Sequence, residues 1–235
     1  MEFGSPLIKG TLIKRYKRFL ADVILENGEQ MTAHTPNTGS MKGCCEPGST
    51  IWLRDTKNPD RKYPLSWEMI EAKPDILVGI NTHLSNLLVT EAIENGIITE
   101  LQGYDQIRRE VKYGEEKSRI DLLLEGTSKP ACYVEVKNVT LVEEDIACFP
   151  DAVTKRGSKH LRELQAMVKQ GKRAVIFYCI QRNDVREFRP ADGIDPDYGQ
   201  LLREALGNGV EALAYTARIS PEAIELITHV PVTCP

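Results

Sequence analysis

Residues 118–137, SRIDLLLEGTSKPACYVEVK, decide the fold of this chain. Two apolar stretches flank the turn-forming segment GTSKP at residues 126–130, and this pattern predicts a β-hairpin. A turn centred on Ser128 predicts the antiparallel pairs Ile120 with Val136, Asp121 with Glu135, and Leu122 with Val134. Because side chains alternate along a strand, two faces are predicted. The core face carries Ile120, Leu122, Leu124, Val134 and Val136, and the other face carries Asp121, Glu135 and Lys137.

The second face predicts a metal site. Opposed residues on antiparallel strands have Cβ atoms about 4.5–5.5 Å apart, so Asp121 and Glu135 repel each other unless a cation lies between them. Two carboxylates, with the backbone carbonyl of Val136, suit Mg²⁺ or Mn²⁺ and a phosphate substrate. Lys137 is placed to orient an attacking water or to neutralise developing charge. The pattern therefore predicts phosphodiester hydrolysis by Asp121, Glu135 and Lys137, with ordinary ion pairs on an exposed strand as the alternative.

The repulsion between Asp121 and Glu135 is expected to lower the stability of the metal-free protein. Asp121→Asn and Glu135→Gln each remove one of the two opposed charges, so both variants are expected to stabilise the metal-free protein.

The rest of the chain predicts two domains. Short strand patterns and an Asn27-Gly28 turn in residues 11–53 predict a small barrel or sheet, and a boundary near residue 80 separates domains 1–80 and 81–235. Beyond it, helix and strand patterns alternate, which predicts an α/β domain. The helices are predicted near 84–94, 158–170 and 197–206, and the strands near 107–113, 118–125, 131–137, 174–180 and 210–219. Strands 131–137 and 174–180 are expected to be parallel, joined by a right-handed crossover.

Composition narrows the class of protein. The chain has 235 residues, 41% of them hydrophobic and 27% charged, which excludes a fibrous or largely disordered protein. The formal net charge is −4, yet residues 1–85 carry a slight basic excess. The N-terminus lacks a secretory signal, and no apolar run approaches the roughly 20 residues of a membrane span. Six cysteines without a C-x-x-C pair indicate reduced thiols. A cytoplasmic protein without a membrane segment is expected.

Basic residues interleaved with an aromatic residue predict a nucleic-acid interface in the first domain. Tyr16 is surrounded by Lys14, Arg15, Lys17 and Arg18, a mixture of phosphate-neutralising charge and stacking surface. DNA is the expected partner, with single-stranded DNA or RNA as alternatives. The other interpretation is a strand edge whose charges prevent aggregation.

The helix near 158–170 supplies further candidates. A helical wheel places His160 and Glu163 on one flank, with Arg156 beside them if the helix begins early enough. Such a flank could border the cleft and bind phosphates, or it could be merely solvated. Further nucleic-acid contacts are expected from Arg119 and Lys159.

Two other acidic residues are candidate metal ligands. Glu91 lies on a predicted helix, on a face with Leu84, Leu87 and Leu88, where a carboxylate needs a partner, and it is a candidate third metal ligand. Glu110, on the strand before the hairpin, has a similar claim.

Two resemblances extend this interpretation. Asp121 followed by Glu135-Val136-Lys137 across a hairpin, and then by a helix, resembles the core of PD-(D/E)xK nucleases, although Ile120 stands where those enzymes carry proline. The chain also resembles the sugar fermentation stimulation protein A family. The matching blocks are YKRF (16–19), HTPNTGSM (34–41), EVKYG (110–114), SRID (118–121), YVEVKNVTL (133–141), FPDAVTKRGSKHLREL (149–164) and RAVIF (173–177). This resemblance implies an OB-fold-like barrel, a restriction-endonuclease-like α/β domain with a mixed sheet, and sequence-nonspecific DNA binding.

Three functions remain open from the sequence. The first is a Mg²⁺- or Mn²⁺-dependent nuclease, which the Asp-Glu-Lys trio favours. The second is a non-catalytic DNA-binding regulator of sugar metabolism genes, of the maltose type, which the family resemblance favours. The third is a small-molecule phosphohydrolase, which the basic N-terminal strand makes less natural.

Overall fold

The first part of the chain is a β-barrel. The computed structural model describes residues 1–114 and 118–235. Its first strands are β1 (Ile8–Tyr16), β2 (Leu20–Leu25), β3 (Gln30–His34), β4 (Thr50–Asp55), β5 (Leu65–Lys73) and β6 (Ile76–Gly79). They pair in the order β3-β2-β1-β4-β5-β6, and a parallel contact between His34 and Ser66 joins β3 to β5. This contact closes the first five strands into the predicted OB-fold-like barrel.

The barrel core follows from the alternation along its strands. Leu12, Val23, Ile51 and Leu53 point inward and are fully buried, and Trp67 fills the centre with its indole nitrogen bonded to the carbonyl of Met69. The predicted Asn27-Gly28 turn joins β2 to β3, and Gly28 has the positive φ of 84° that this tight turn requires.

The second part of the chain is an α/β domain. Its strands are β7 (Gln106–Tyr113), β8 (Ser118–Glu125), β9 (Cys132–Val139), β10 (Leu141–Glu143), β11 (Ile146–Phe149), β12 (Arg173–Ile180), β13 (Glu187–Pro190), β14 (Glu211–Ile219) and β15 (Ile224–His229). Its α-helices are α1 (Ser85–Glu94), α2 (Lys155–Lys169) and α3 (Pro196–Gly207), and 3₁₀ turns occupy Thr82–Leu84 and Thr99–Leu101. None of the helices in the described part of the chain is long and apolar enough to span a membrane.

A six-stranded mixed sheet lies at the centre of this domain. Its order is β15-β14-β12-β9-β8-β7, in which β9, β12 and β14 are parallel and the outer pairs are antiparallel. The predicted parallel pairing of residues 131–137 with 174–180 is therefore confirmed. The short strands β10, β11 and β13 form a separate small sheet that the sequence patterns did not predict.

Helices cover both faces of the mixed sheet. Alternate residues of β12, such as Phe177 and Ile176, enter two separate cores, one under α1 and the other under α2 and α3. A central strand that is buried on both faces reads as a continuous apolar run, which is how residues 174–180 appear in the sequence.

The hairpin has the predicted register near its turn, but the predicted pairs Ile120 with Val136 and Asp121 with Glu135 are absent from the ladder. Leu122 pairs with Val134, as a turn centred on Ser128 requires. Leu122 and Leu124 lie in the core under α1, but Ile120 lies in the core under α2, so its predicted place beside them is wrong. The reason is a break in the ladder at Asp121: β8 shows no regular pair there with either neighbouring strand, and the facing Glu110 has a φ of 55°.

Candidate active site

Asp121 occupies the break between β8 and β9. Its Oδ2 accepts a hydrogen bond from the backbone N–H of Val136 at 2.8 Å, and its Oδ1 accepts one from the side chain of Asn86 at 2.9 Å. A backbone carbonyl of β8 would normally receive the N–H of Val136. The carboxylate thus replaces a ladder bond and is fixed to β9 and α1 at the same time.

The environment of Asp121 favours its protonated form. Burial, followed by the negative charge of Glu135, raises the pKa of Asp121 to about 6, although the bonds from Asn86 and Val136 act in the opposite direction. The repulsion between the two carboxylates that the sequence predicted is therefore present in the fold.

Glu135 is buried but well paired on one side. It is 2% exposed, and its Oε1 accepts a hydrogen bond from Lys137 Nζ at 2.7 Å and contacts Nδ1 of His160. Burial alone raises the pKa of Glu135, but the charge of Lys137 and the hydrogen bond from His160 bring it below the ordinary value. Because the fold stabilises the ionised form of Glu135, the stabilisation of the metal-free protein that the sequence predicts for Glu135→Gln is not expected from the structure.

Helix α2 brings a second basic group to the site. Thr154 caps the helix by accepting from the N–H of Gly157 at 3.0 Å, and α2 begins at Lys155, earlier than the sequence patterns predicted. The early start aligns Arg156 with His160, and Arg156 Nε donates to Nε2 of His160 at 3.4 Å. The other ring nitrogen, Nδ1, faces both Oε1 of Glu135 and Nζ of Lys137, which lies 3.1 Å away.

Several buried oxygens near Glu135 have no partner. Within residues 1–114 and 118–235, these are Oε2 of Glu135, both carboxylate oxygens of Glu163 and the hydroxyl of Tyr113. Each is a hydrogen-bond acceptor out of contact with solvent, an arrangement that costs free energy without a donor or a cation. Sequence reasoning placed Glu163 beside His160 but gave it no role.

Asp121 and Glu135 fit a hard divalent cation. The unpartnered Oε2 of Glu135 offers a ligand, and each Asp121 oxygen retains a lone pair beyond its single hydrogen bond. The described residues contain no group of three or more His, Cys, Asp or Glu arranged to hold an ion. A Mg²⁺ site does not require one, because Mg²⁺ commonly uses one or two carboxylates and completes its coordination with water and substrate phosphates.

Glu91 is not brought to this site. Its carboxylate forms an ion pair with the amino group of Met1 at 2.6 Å and is 40% exposed. Asn86, which contacts Asp121, lies five residues earlier on α1, so the two side chains point about 140° apart around the helix. Glu110 remains closer, since its Oε1 lies 3.5 Å from the side-chain nitrogen of Asn86.

The predicted N-terminal patch divides into two kinds of residue. Lys14 packs over the ring of Tyr16 at 5.5 Å and lies 3.6 Å from Asp22, while Lys17 and Arg18 are exposed in the turn after β1. These residues present charge and a ring to solvent.

Arg15 differs because its guanidinium is engaged with the protein itself. It donates to the backbone carbonyls of Arg18, Asn37, Gly39 and Ser40. The segment that it holds reaches the second domain, since Ser40 and the N–H of Met41 both bind Asp151. Arg15 therefore has a structural role in this fold.

The two other basic residues that the sequence predicted as nucleic-acid contacts, Arg119 and Lys159, lie on β8 and α2. Arg119 is exposed on β8, two residues before Asp121, and pairs across the strands with Lys112, which sequence reasoning missed. Lys159 lies half-buried on α2, next to His160. The basic pair of Lys112 and Arg119 could have been found from the hairpin register of β7 and β8.

The fold and site define a two-domain protein: an OB-fold-like barrel followed by a restriction-endonuclease-like α/β domain. Two family models match the chain in the same order. Residues 13–80 match "SfsA N-terminal OB domain" and residues 83–223 match "Sugar fermentation stimulation protein RE domain". The chain belongs to the sugar fermentation stimulation protein family.

Relatives match the whole chain. The sugar fermentation stimulation protein homolog of Geobacter metallireducens is 60% identical over 232 residues, which cover 99% of each chain. The homolog of Pelobacter propionicus is 61% identical over 227 residues, with 97% of each chain covered. The solved structure of Pyrococcus furiosus SfsA in complex with Ca²⁺ is 31% identical and superimposes with a TM-score of 0.88, covering 99% of this chain and 98% of that one.

Proposed function

We propose that this chain is a cytoplasmic, sequence-nonspecific DNA-binding protein that hydrolyses phosphodiester bonds with Mg²⁺ or Mn²⁺. Asp121, Glu135 and Lys137 are the proposed catalytic residues. The observation that carries the proposal is the break in the strand ladder, where Asp121 accepts from the N–H of Val136 beside a buried Glu135 with one oxygen unpartnered. The proposed boundary near residue 80 separates a nucleic-acid-binding barrel, residues 1–80, from a nuclease-like domain, residues 81–235, which carries the site of hydrolysis.

Asp121 and Glu135 would hold the cation, with the backbone carbonyl of Val136 as a further oxygen. The relative from Pyrococcus furiosus has been solved with Ca²⁺, another hard cation that takes oxygen ligands. When bound, a divalent cation lowers the pKa of a coordinated water and polarises a phosphate oxygen.

Lys137 and His160 act on the other oxygen of Glu135. Their contacts to Oε1 hold the carboxylate in one orientation and leave Oε2 without a hydrogen-bond partner. The ammonium of Lys137 is also a donor that can orient a water or neutralise charge that develops on the phosphate. Arg156 holds His160 in turn and adds a positive charge at the rim of the site.

DNA would reach this site through electrostatic contacts. Lys14, Tyr16, Lys17 and Arg18 on the barrel, with Arg119 and the α2 residues Arg156, Lys159 and His160, are the proposed contacts, and single-stranded DNA and RNA are alternative ligands. Such contacts neutralise phosphates without reading bases, so binding should weaken steeply with salt. The expected Kd is about 10⁻⁴–10⁻⁶ M near physiological salt.

The test is cleavage of labelled single- and double-stranded DNA and RNA in the presence of Mg²⁺, Mn²⁺ or EDTA. Wild type should cleave at least one substrate only with the ion, and Asp121→Asn should not. Lys137→Ala should lose hydrolysis while retaining most DNA affinity and most of the stabilisation by Mn²⁺, whereas Lys169→Ala, an exposed lysine at the end of α2, should resemble wild type. DNA binding by wild type without cleavage of any substrate would refute the enzymatic proposal.

One observation favours a second candidate function. Lys137 already balances the charge of Glu135, so the cluster is partly satisfied without an ion. A protein of this kind could bind DNA without cleaving it and regulate genes of sugar metabolism, of the maltose type, in keeping with the name of its relatives. The same assay separates the two functions, because this candidate requires binding without cleavage.

A further inference from the structure

A cavity of about 360 Å³ lies between the barrel and α1. The barrel lines it with His34 at the end of β3, Arg54 on β4 and Arg61 in the loop between β4 and β5. The second domain lines it with His83 in the 3₁₀ turn before α1 and with Leu87 on α1. Sites for small molecules commonly have volumes of about 300–1,000 Å³, so this cavity is large enough to bind one.

The charged groups around the cavity are mostly basic. In the described part of the chain, Arg61 and His83 form no ion pair, and Nδ1 of His34 is buried without a hydrogen-bond partner. Burial lowers the pKa of His34, and the positive charges of Arg61 and His83 lower it further. The acidic residue among the described lining is Glu2, which is exposed. The cavity therefore favours an anionic ligand.

Arg54 is held in place by a buried carboxylate. Its Nε donates to Oε1 of Glu68 at 2.9 Å, and Oε2 of Glu68 accepts a hydrogen bond from the side chain of Asn81 at 2.6 Å. Glu68 is fully buried. The two terminal nitrogens of Arg54 form no hydrogen bond with any described residue, so they remain available as donors. A guanidinium that is fixed through Nε and presents its terminal nitrogens to a ligand suits the oxygens of a phosphate group.

Apolar side chains complete the lining. Pro36, Leu84 and Leu87 contribute to it, and Leu87 is 41% exposed although it is large and apolar. A ligand that combines a phosphate with a flat, largely apolar group would use both kinds of surface. A nucleotide has this composition, because its phosphate suits the guanidinium groups and its base can pack on aliphatic side chains and on the imidazoles of His34 and His83.

We propose that this cavity binds a nucleoside 5′-monophosphate, either free or as the phosphorylated end of a strand. Arg54 and Arg61 contact the phosphate, and the base packs on Leu84 and Leu87. The choice of a nucleotide rests on the proposed function, because hydrolysis of a phosphodiester bond leaves an end that carries a phosphate monoester.

The experiment is calorimetric titration of the full chain with AMP in EDTA, which removes any contribution from a divalent cation. Wild type should bind one AMP per chain, and adenosine and inorganic phosphate should each bind at least tenfold more weakly. Arg61→Ala should weaken AMP binding about tenfold or more, because a charged donor is lost. Lys62→Ala is the matched control: it removes the same charge from the same loop, outside the lining, and should leave the affinity unchanged. Arg54→Lys retains a counter-charge for Glu68 but loses the planar fork, and should also weaken binding.

Two oligonucleotides that differ only in a 5′-phosphate distinguish the two sources of the ligand. Tighter binding of the phosphorylated strand, with a difference that disappears in Arg61→Ala, assigns the site to a strand end. Binding of AMP without that difference assigns it to a free nucleotide. If AMP does not bind and the strands bind equally, or if Arg61→Ala and Lys62→Ala weaken AMP binding equally, the inference is refuted.

These results are independent of the test of the proposed function. Cleavage of nucleic acid with Mg²⁺ or Mn²⁺ by a protein that does not bind AMP or prefer the phosphorylated strand refutes only the nucleotide site. Binding of AMP that depends on Arg61, by a protein that cleaves no substrate, supports the nucleotide site and refutes only the enzymatic proposal.

Discussion

The substitution Glu135→Gln gives the sharpest test of the buried cluster in the metal-free protein. The sequence alone predicts stabilisation, because one of two opposed carboxylates is removed. The structure predicts the opposite, because Glu135 is also the counter-charge of Lys137, whose side chain is only 11% exposed. Removing one partner of a buried ion pair leaves the other charge buried and unpaired, which costs about 3–5 kcal/mol.

Glu135→Gln also removes the repulsion between Glu135 and Asp121, which stabilises the variant and opposes the cost of leaving Lys137 unpaired. The pKa of Asp121 is raised from 3.8 to about 6, which corresponds to about 3 kcal/mol at a pH above 6, and burial rather than Glu135 is the main cause. Only part of that amount can be recovered by Glu135→Gln. At pH 5 most Asp121 carboxyls carry a proton, so the recovery is small. We therefore expect nearly the full cost at pH 5 and a smaller cost at pH 8.

Urea unfolding in EDTA at the two pH values measures both costs. The control is Glu225→Gln, which breaks the pair between Arg218 and Glu225, whose side chains are 68% and 45% exposed. An exposed pair contributes about 0–1 kcal/mol. If Glu135→Gln costs no more than Glu225→Gln at pH 5, Glu135 is not the counter-charge that stabilises buried Lys137.

Three other predictions concern Asp121 and the basic residues of the first domain. In EDTA, the raised pKa of Asp121 means that the folded state holds its proton more tightly than the unfolded state; the resulting stability is complete below about pH 4 and is lost as the pH rises through about 6. The free energy of unfolding of wild type relative to Asp121→Asn should thus fall by about 3 kcal/mol across that range in urea titrations, and a constant difference would contradict the assignment. Replacing Lys14, Lys17 and Arg18 together by Ala should reduce the slope of log K against log salt for DNA binding by about 2–3, and an unchanged slope would show that these residues do not contact phosphates. Arg15→Ala should instead lower the free energy of unfolding by about 2–4 kcal/mol, because four backbone carbonyls lose a charged donor, whereas Lys17→Ala should change it by less than about 0.5 kcal/mol; equal effects in thermal or urea unfolding would refute this division.

The features that the sequence predicted correctly depend on short-range patterns. Alternation on both sides of residues 126–130 determines the hairpin register, since the turn fixes which residues face each other. The wheel of α2 places His160 on the flank that meets Glu135, because an amphipathic helix has only one way to bury its apolar stripe. Both inferences need only residues that are close in sequence.

The features that the sequence missed depend on contacts between distant segments. Arg15 stands next to YKRF (16–19) among other basic residues, and the sequence therefore predicts that it binds phosphate. In the fold it donates instead to backbone carbonyls of residues 37–40, which the barrel brings close to it. Glu163 reads as one more charge on a helix flank, and its burial becomes visible only when the end of β7 lies across it. Neither contact has a local signature.

The remaining error, the face of Ile120, has a cause that connects it to function. Strict alternation fails at residue 121 because the side chain of Asp121, rather than a backbone carbonyl, accepts the N–H of Val136. The strand departs from its regular pairing at that residue, and the side chains before it pass to the other core. A fold that gives up a ladder bond and keeps buried carboxylate oxygens without partners sacrifices stability at one place, and such local departures from consistency are expected where a protein has a function to perform.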